Sequence, residues 1–211
     1  MDGLESFLAY PLSQLPFVII ALIIALSLHE FAHAYVAYRF GDPTAHQQGR
    51  VTLNPLRHLD PIGTLMIFLV GFGWARPVPV NRFYFRKPRL AGVLVSVAGP
   101  LTNLVLCFLF MATYQFSPIS NSILDQFFQI NIFLNVSLFV FNLIPLPPLD
   151  GYRIVEDLLP NRYRAKLSEY EMYGVFVFLL LAITPLGNYV FTPLFNTVVP
   201  FIIFNMASIL S

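Results

Sequence analysis

The chain has 211 residues, 57% of them apolar and only 11% charged, against roughly 25% charged in an average soluble domain. With 22 phenylalanines as well, a soluble fold of this size could not hide so much apolar surface, so the composition points to an integral membrane protein. The net charge of +1 is spread over short runs between apolar segments. No continuous basic face exists to follow a phosphate backbone, which excludes nucleic acid as a partner.

Residues 1–14 carry Asp2 and Glu5 where a secretory leader would be basic, so the apolar run that follows reads as a retained span. That run, residues 15–38, rises about 36 Å as a helix against a hydrocarbon core of about 30 Å. Ser13 and Pro16 suit its start. Residues 62–72 are too few to cross and have the length of a re-entrant or interfacial segment. Residues 90–114 and 127–144 are the next two spanning candidates. The last apolar stretch, 172–210, is broken by Thr184-Pro185-Leu186-Gly187-Asn188, a turn between two helices.

The expected fold class is therefore an all-α polytopic membrane protein. It is a bundle of about five transmembrane helices with a short re-entrant segment and a small β-like loop at 47–53, where the pattern alternates weakly. Residues 1–211 read as a single membrane-embedded domain, with a core at 15–155 and C-terminal helices at 165–210. Cys107 is the only cysteine, which rules out an internal disulfide and a Cys-rich metal site; in its apolar run it reads as a packing residue.

Arg76, Arg82, Arg86, Lys87 and Arg89 crowd one connection, and Arg153, Arg162, Arg164 and Lys166 another. The 115–126 connection has no Lys or Arg. By the positive-inside rule the two basic connections are expected in the cytoplasm and the acidic N-terminal tail outside.

Within the first span stands His29-Glu30-Phe31-Ala32-His33. The two histidines are one helical turn apart, so both imidazoles leave the same face and can share a metal. Glu30 is offset by one position, close enough to take a proton from a water at that metal. Ionisable residues are costly in a membrane and mark functional sites; the alternative is a buried His–Glu network that only locks helices together. A third ligand is needed. His46 and His58 fall in the polar connection and read as interfacial residues. Asp150 is the stronger candidate, because Pro145, Pro147 and Pro148 break the chain just before it and Gly151 permits a bend after it. Unwound backbone at membrane depth is tolerated only where it lines a protein cavity or water. His29 lies about 21 Å along the helix from Leu15, in its cytoplasmic half, and Asp150 follows a span running towards the same side. Two imidazoles, one carboxylate and a water would complete a catalytic site for one Zn2+ per chain.

These motifs resemble the site-2 protease family of intramembrane zinc metalloproteases (M50-type), in its compact bacterial and archaeal branch. The resemblance rests on the HExxH element, on Gly99-Pro100-Leu101-Thr102-Asn103, and on the stretch from Asn142 to Asp150-Gly151. It rests also on Gly49-Arg50-Val51-Thr52-Leu53-Asn54-Pro55 with His58, Asp60 and Gly63, and on Gly73-Trp74-Ala75-Arg76-Pro77-Val78-Pro79-Val80-Asn81. It implies that His29, His33 and Asp150 bind zinc, that Glu30 activates water, and that Asn142 holds the substrate or the developing oxyanion. Asn103 is either part of that machinery or an interhelical hydrogen bond beside a close approach at Gly-Pro. In the family a loop like 47–53 can pair with an unwound substrate.

The implied activity is hydrolysis of peptide bonds in or near transmembrane segments, in a prokaryotic cell membrane, with anti-sigma factors or other single-span proteins as substrates and lipids as neighbours. No room exists for a PDZ domain between the motifs or for C-terminal nucleotide-binding domains, which suggests a bare catalytic core. The competing readings are a metal transporter and a non-catalytic client-binding homologue. A transporter would favour ligands spread along a path or paired repeats, and the sequence has no visible repeat.

Overall fold

Pro16 opens the first long helix without loss, since its missing N–H would be unpaired there anyway; α1 runs Leu15–Arg39. In the computed structural model, which describes residues 10–70, 73–117 and 121–210, α1 ends in a Schellman turn. Gly41 adopts φ 103, and the N–H groups of Gly41 and Asp42 return to the carbonyls of Tyr38 and Ala37. A short helix α2 (Thr44–Gln47) follows, then α3 (Pro61–Val70).

The ten residues of α3 rise about 15 Å, half of a bilayer core. The chain then comes back beside the start of α3: Leu59 bridges Ala75, and a Cβ on Gly63 would lie 2.0 Å from the carbonyl oxygen of Trp74. The chain thus doubles back at the segment expected to be re-entrant, 62–72, whose last two residues lie outside the described residues.

The expected β-like loop at 47–53 is not a strand, and no strand occurs among the described residues. Gln47 closes α2, Gly49 turns the chain at φ 66, and the Thr52 carbonyl accepts from the His58 ring at 2.7 Å. A weak alternation makes a strand only where a neighbouring strand meets its backbone groups, and here a side chain meets them instead.

Next come α4 (Pro88–Gln115), with Pro100 inside it, and α5 (Ser122–Asn142), capped by the Asn121 side chain on the Ile123 N–H. This cap starts α5 before the apolar run at 127. The proline-rich turn after Asn142 leads into α6 (Asp150–Leu158), then α7 (Asn161–Glu169) and α8 (Glu171–Ile183). The final helix, α9 (Leu186–Leu210), contains a wider π turn at Leu194–Val198, directly after Pro193.

Among the described residues four helices are long and apolar enough to cross a membrane: α1, α4, α5 and α9. With 13 residues α8 is apolar but short, about 20 Å. The turn between the last two helices therefore lies where the sequence places it, while the fifth helix does not reach spanning length. The chain is an integral membrane protein of all-α fold.

The core is built where α1, α4 and α5 meet. Ala21, Ala25, Ala34 and Ala37 on α1 are fully buried, and such small side chains let helix backbones approach closely where lipid offers no hydrophobic drive. Val18, Leu22 and Leu26 of α1 pack with Ile67 of α3 and Leu134 of α5, while Cys107 and Met111 of α4 pack with Val136 of α5 and Val199 of α9. Cys107 is a buried packing residue, as its run suggests. The outer faces carry exposed Ile19, Ile20, Leu101, Leu109 and Phe204, the surface a lipid environment calls for.

Candidate metal centre

His29 and His33 project from one face of α1 towards the first residue of α6, Asp150. Gly151 allows this meeting: a Cβ there would lie 2.4 and 2.5 Å from the carbonyl oxygens of Leu143 and Ile144, so only glycine lets α6 start against the end of α5. The Oδ2 of Asp150 lies 3.1 Å from His29 Nε2 and 3.3 Å from His33 Nε2, and the two Nε2 atoms are 3.0 Å apart.

The protons on the rings can be placed from their far sides. His33 Nδ1 donates to the carbonyl of Val95 at 2.7 Å, an acceptor only. His29 Nδ1 donates to Oδ1 of Asn103 at 2.6 Å. In the neutral rings both Nε2 atoms are therefore lone pairs, facing each other and a carboxylate oxygen that has no hydrogen-bond partner. Three converging lone pairs in a buried site form a seat for a cation. Tetrahedral zinc with bonds of about 2.0–2.2 Å sets ligand atoms about 3.3–3.6 Å apart, a little wider than the 3.0–3.3 Å found here. The donor set of two imidazoles and one carboxylate, each imidazole backed by an outer acceptor, fits a catalytic metal.

The fourth side of this cluster is formed by α4. A Cβ on Gly99 would lie 2.3 Å from His33 Nε2 and 2.6 Å from His29 Nε2, so the missing side chain is what keeps the cluster open.

A cavity of about 890 Å3 opens from these residues, and Glu30, Asn142, Phe141, Leu138, Trp74 and Arg153 help line it. Glu30 is buried beside the two histidines. Asn142 ends α5, and its amide nitrogen donates to the Leu138 carbonyl at 3.0 Å. Arg50 is buried behind the site and donates to the Arg76 carbonyl at 2.5 Å. Burial pulls its guanidinium below the ordinary value, and the Glu30 carboxylate opposes that pull.

Also along the cavity, Arg82 bridges Glu156 at 2.9 Å and Asp157 at 2.8 Å, while Arg153 joins Glu156 to Glu171. These pairs fasten the 82–84 turn and α8 to the helix that carries Asp150.

Of the residues expected from the sequence, His29, His33 and Asp150 come together, and Glu30 and Asn142 line the same cavity. His46 is stacked on Tyr38, with ring centroids 4.7 Å apart, and His58 is fully buried against Thr52; neither belongs to the cluster. Asn103 is fully buried and hydrogen-bonds to the His29 ring, to the Ala25 carbonyl and to Asn135, so it makes the interhelical contact weighed for it and does not line the cavity. Sequence reasoning missed Val95, which acts through its carbonyl and has no side-chain signature. It also missed Asn135, although two asparagines one turn apart in an apolar span are a usable signal.

The spanning helices and the buried His/His/Asp cluster beside a glutamate define a membrane-embedded metallopeptidase. The profile of Peptidase family M50 matches residues 111–184. The chain is 57% identical over 201 residues to "Putative zinc metalloprotease YwhC" of Bacillus subtilis, covering 92% of each chain. It is 34% identical over 179 residues to a protein of the same description, Rip2 of Mycobacterium tuberculosis, covering 81% of this chain and 68% of that one. It is 26% identical over 144 residues to zinc metalloprotease MJ0392 of Methanocaldococcus jannaschii, covering 68% of this chain and 34% of the relative. No solved structure matches. The chain belongs to peptidase family M50, the site-2 protease family.

Proposed function

We propose that this chain is a zinc-dependent endopeptidase that cleaves peptide bonds in or near the transmembrane segments of other membrane proteins. The observation that carries the reading is the convergence of His29 Nε2, His33 Nε2 and Asp150 Oδ2 beside Glu30, at the head of a cavity bordered by spanning helices. One zinc per chain would be held by these three atoms. When bound it supplies the Lewis acidity that makes water a competent nucleophile towards an amide at neutral pH.

Glu30 takes the proton from the attacking water as oxygen bonds to the peptide carbonyl carbon. It then delivers that proton to the departing nitrogen as the C–N bond breaks, and the acid's remaining proton passes to the amine, so the products are a carboxylate and an ammonium group. Asn142 has one N–H on the Leu138 carbonyl and carries a second, suited to a substrate carbonyl oxygen. The apolar cavity walls suit a peptide drawn from a membrane span, and an unwound segment is needed, since helical backbone shields its carbonyls.

The basic connections around Arg82–Arg89 and Arg153–Lys166 support a cytoplasmic placement of the site in a prokaryotic cell membrane. Single-span regulators such as anti-sigma factors are the proposed substrates. The proposed unit is one domain, residues 1–211.

The test compares purified wild type with Glu30→Gln, measuring bound zinc and cleavage of a panel of single-span proteins in liposomes. Both are expected to hold zinc, and only the wild type to cleave. Equal cleavage by both overturns the role of Glu30, and zinc flux without any cleavage overturns the protease reading.

A further inference from the structure

A line of buried amides leads away from His29 into α5, and its directions can be read from one fixed end. That end is the backbone carbonyl of Asn131, which can only accept. Nδ2 of Asn135 donates to it at 2.9 Å, so the amide oxygen of Asn135 points the other way and accepts from Nδ2 of Asn103 at 3.1 Å. The same Asn103 nitrogen donates to the Ala25 carbonyl at 3.3 Å. The oxygen of Asn103 is thereby turned towards His29, whose Nδ1 donates to it at 2.6 Å. Asn103 and Asn135 are both fully buried.

The two ligand histidines differ in how their tautomer is secured. His33 faces a backbone carbonyl, which cannot turn round. His29 faces a side-chain amide, which could rotate and present N–H in place of oxygen. Nδ1 would then have to accept, the proton would move to Nε2, and the lone pair aimed at Asp150 and His33 would vanish. Rotation is opposed because it would set the Asn103 oxygen against two others, those of Ala25 and Asn135. Loss of the Asn135 acceptor halves this opposition.

We infer that Asn135 is a positioning residue for the metal centre: acting through Asn103, it holds His29 in the tautomer that leaves Nε2 free to bind metal. The inference rests on the reading of His29 as a ligand.

The test uses the full chain in detergent, with 15N-labelled histidine, as wild type, Asn135→Leu and Asn131→Leu. Asn131 is an internal control: it is equally buried on the same helix, but its side chain donates to the Phe127 carbonyl outside the line. Metal-free wild type and Asn131→Leu are expected to show the His29 proton on Nδ1 by long-range nitrogen–proton NMR. Asn135→Leu is expected to show a mixture of tautomers. Its zinc affinity, read by chelator competition, is expected to fall about 10–100-fold, as for loss of an outer-shell partner. An unchanged tautomer and affinity in Asn135→Leu overturns the inference, and so does an equal loss in Asn131→Leu. If Asn135→Leu does not fold, the wild type alone still decides, because a His29 ring protonated on Nε2 with Nδ1 bare overturns it. A wild type with the proton on Nδ1 that binds no zinc overturns the metal-centre reading and leaves the tautomer inference standing.

Discussion

Gly99 faces His33 at a separation that no other residue could keep. A Cβ at position 99 would lie 2.3 Å from His33 Nε2 and 2.6 Å from His29 Nε2, against the cluster the two rings form with Asp150. Gly99→Ala is therefore expected to keep the helix, because alanine favours helix over glycine by about 1 kcal/mol. It is expected to lose zinc, with affinity falling by more than about 100-fold, beyond the range of an outer-shell change. Zinc content by mass spectrometry, beside the circular dichroism of the same sample, checks both halves. A variant with full zinc and full helicity would place the metal elsewhere.

Asp150 contributes the one negative charge among the three convergent atoms. Asp150→Asn keeps the size and the start of α6 but replaces a charged acceptor by an amide with a weaker oxygen. Zinc affinity is expected to fall further than the roughly 10–100-fold of an outer-shell loss, and cleavage to disappear with it. Titration with a zinc-competing chelator measures the first, and the single-span substrate panel the second.

Glu156 and Asp157 are both buried and both bind Arg82, yet they respond differently. Burial pushes each carboxyl up. At Glu156, hydrogen bonds from Ser168, Arg82 and Arg153 outweigh burial and hold the carboxyl below its ordinary value. Asp157 has Arg82 and a more distant Arg164 at 3.4 Å, so burial prevails there and the carboxyl stays raised. A lowered carboxyl stabilises the fold above the ordinary carboxylate range, and that stability is lost as pH falls through the lowered value. Glu156→Gln is accordingly expected to lower the thermal midpoint at neutral pH, with the gap to wild type narrowing on acidification. A gap that widens in acid would contradict the sign. Arg82→Met leaves two buried carboxylates short of a partner and is expected to cost about 3 kcal/mol, the low end for a broken buried pair because Arg153 and Ser168 remain on Glu156.

The parts of the site legible in the sequence are those set by local geometry. His29, Glu30 and His33 belong to one helix, so their spacing alone puts both rings on one face. Asp150 was legible because three prolines and a glycine around it mark a break where a carboxylate can be fixed. The closeness of Gly99 and Val95 to those rings depends on the register of α4 against α1, which no short stretch of sequence encodes. The 47–53 loop failed for the opposite reason: its alternation was visible, but a strand exists only with a partner, and His58 supplied a side-chain partner instead. At the far end, residues 172–183 are apolar enough for a span, and only the observed start at Glu171 shows α8 to be short.

His58 provides a second test of pH dependence, in the loop that precedes α3. Its ring is fully buried, donates through Nε2 to the Thr52 carbonyl, and leaves Nδ1 with no partner. Burial lowers its pKa below the ordinary imidazole value; the Thr52 carbonyl opposes the shift and Arg50 adds to it. The folded state thus needs the neutral ring. Its contribution is complete above the ordinary value and is lost as pH falls through the lowered one. Acidification is expected to loosen residues 50–58 first, together with Arg76, whose N–H bonds to the His58 carbonyl at 2.7 Å. Hydrogen exchange across residues 50–76 should rise in mild acid in the wild type. His58→Gln, which keeps a donor for Thr52 and cannot charge, should abolish that rise; the same acid response in His58→Gln would assign it to another group.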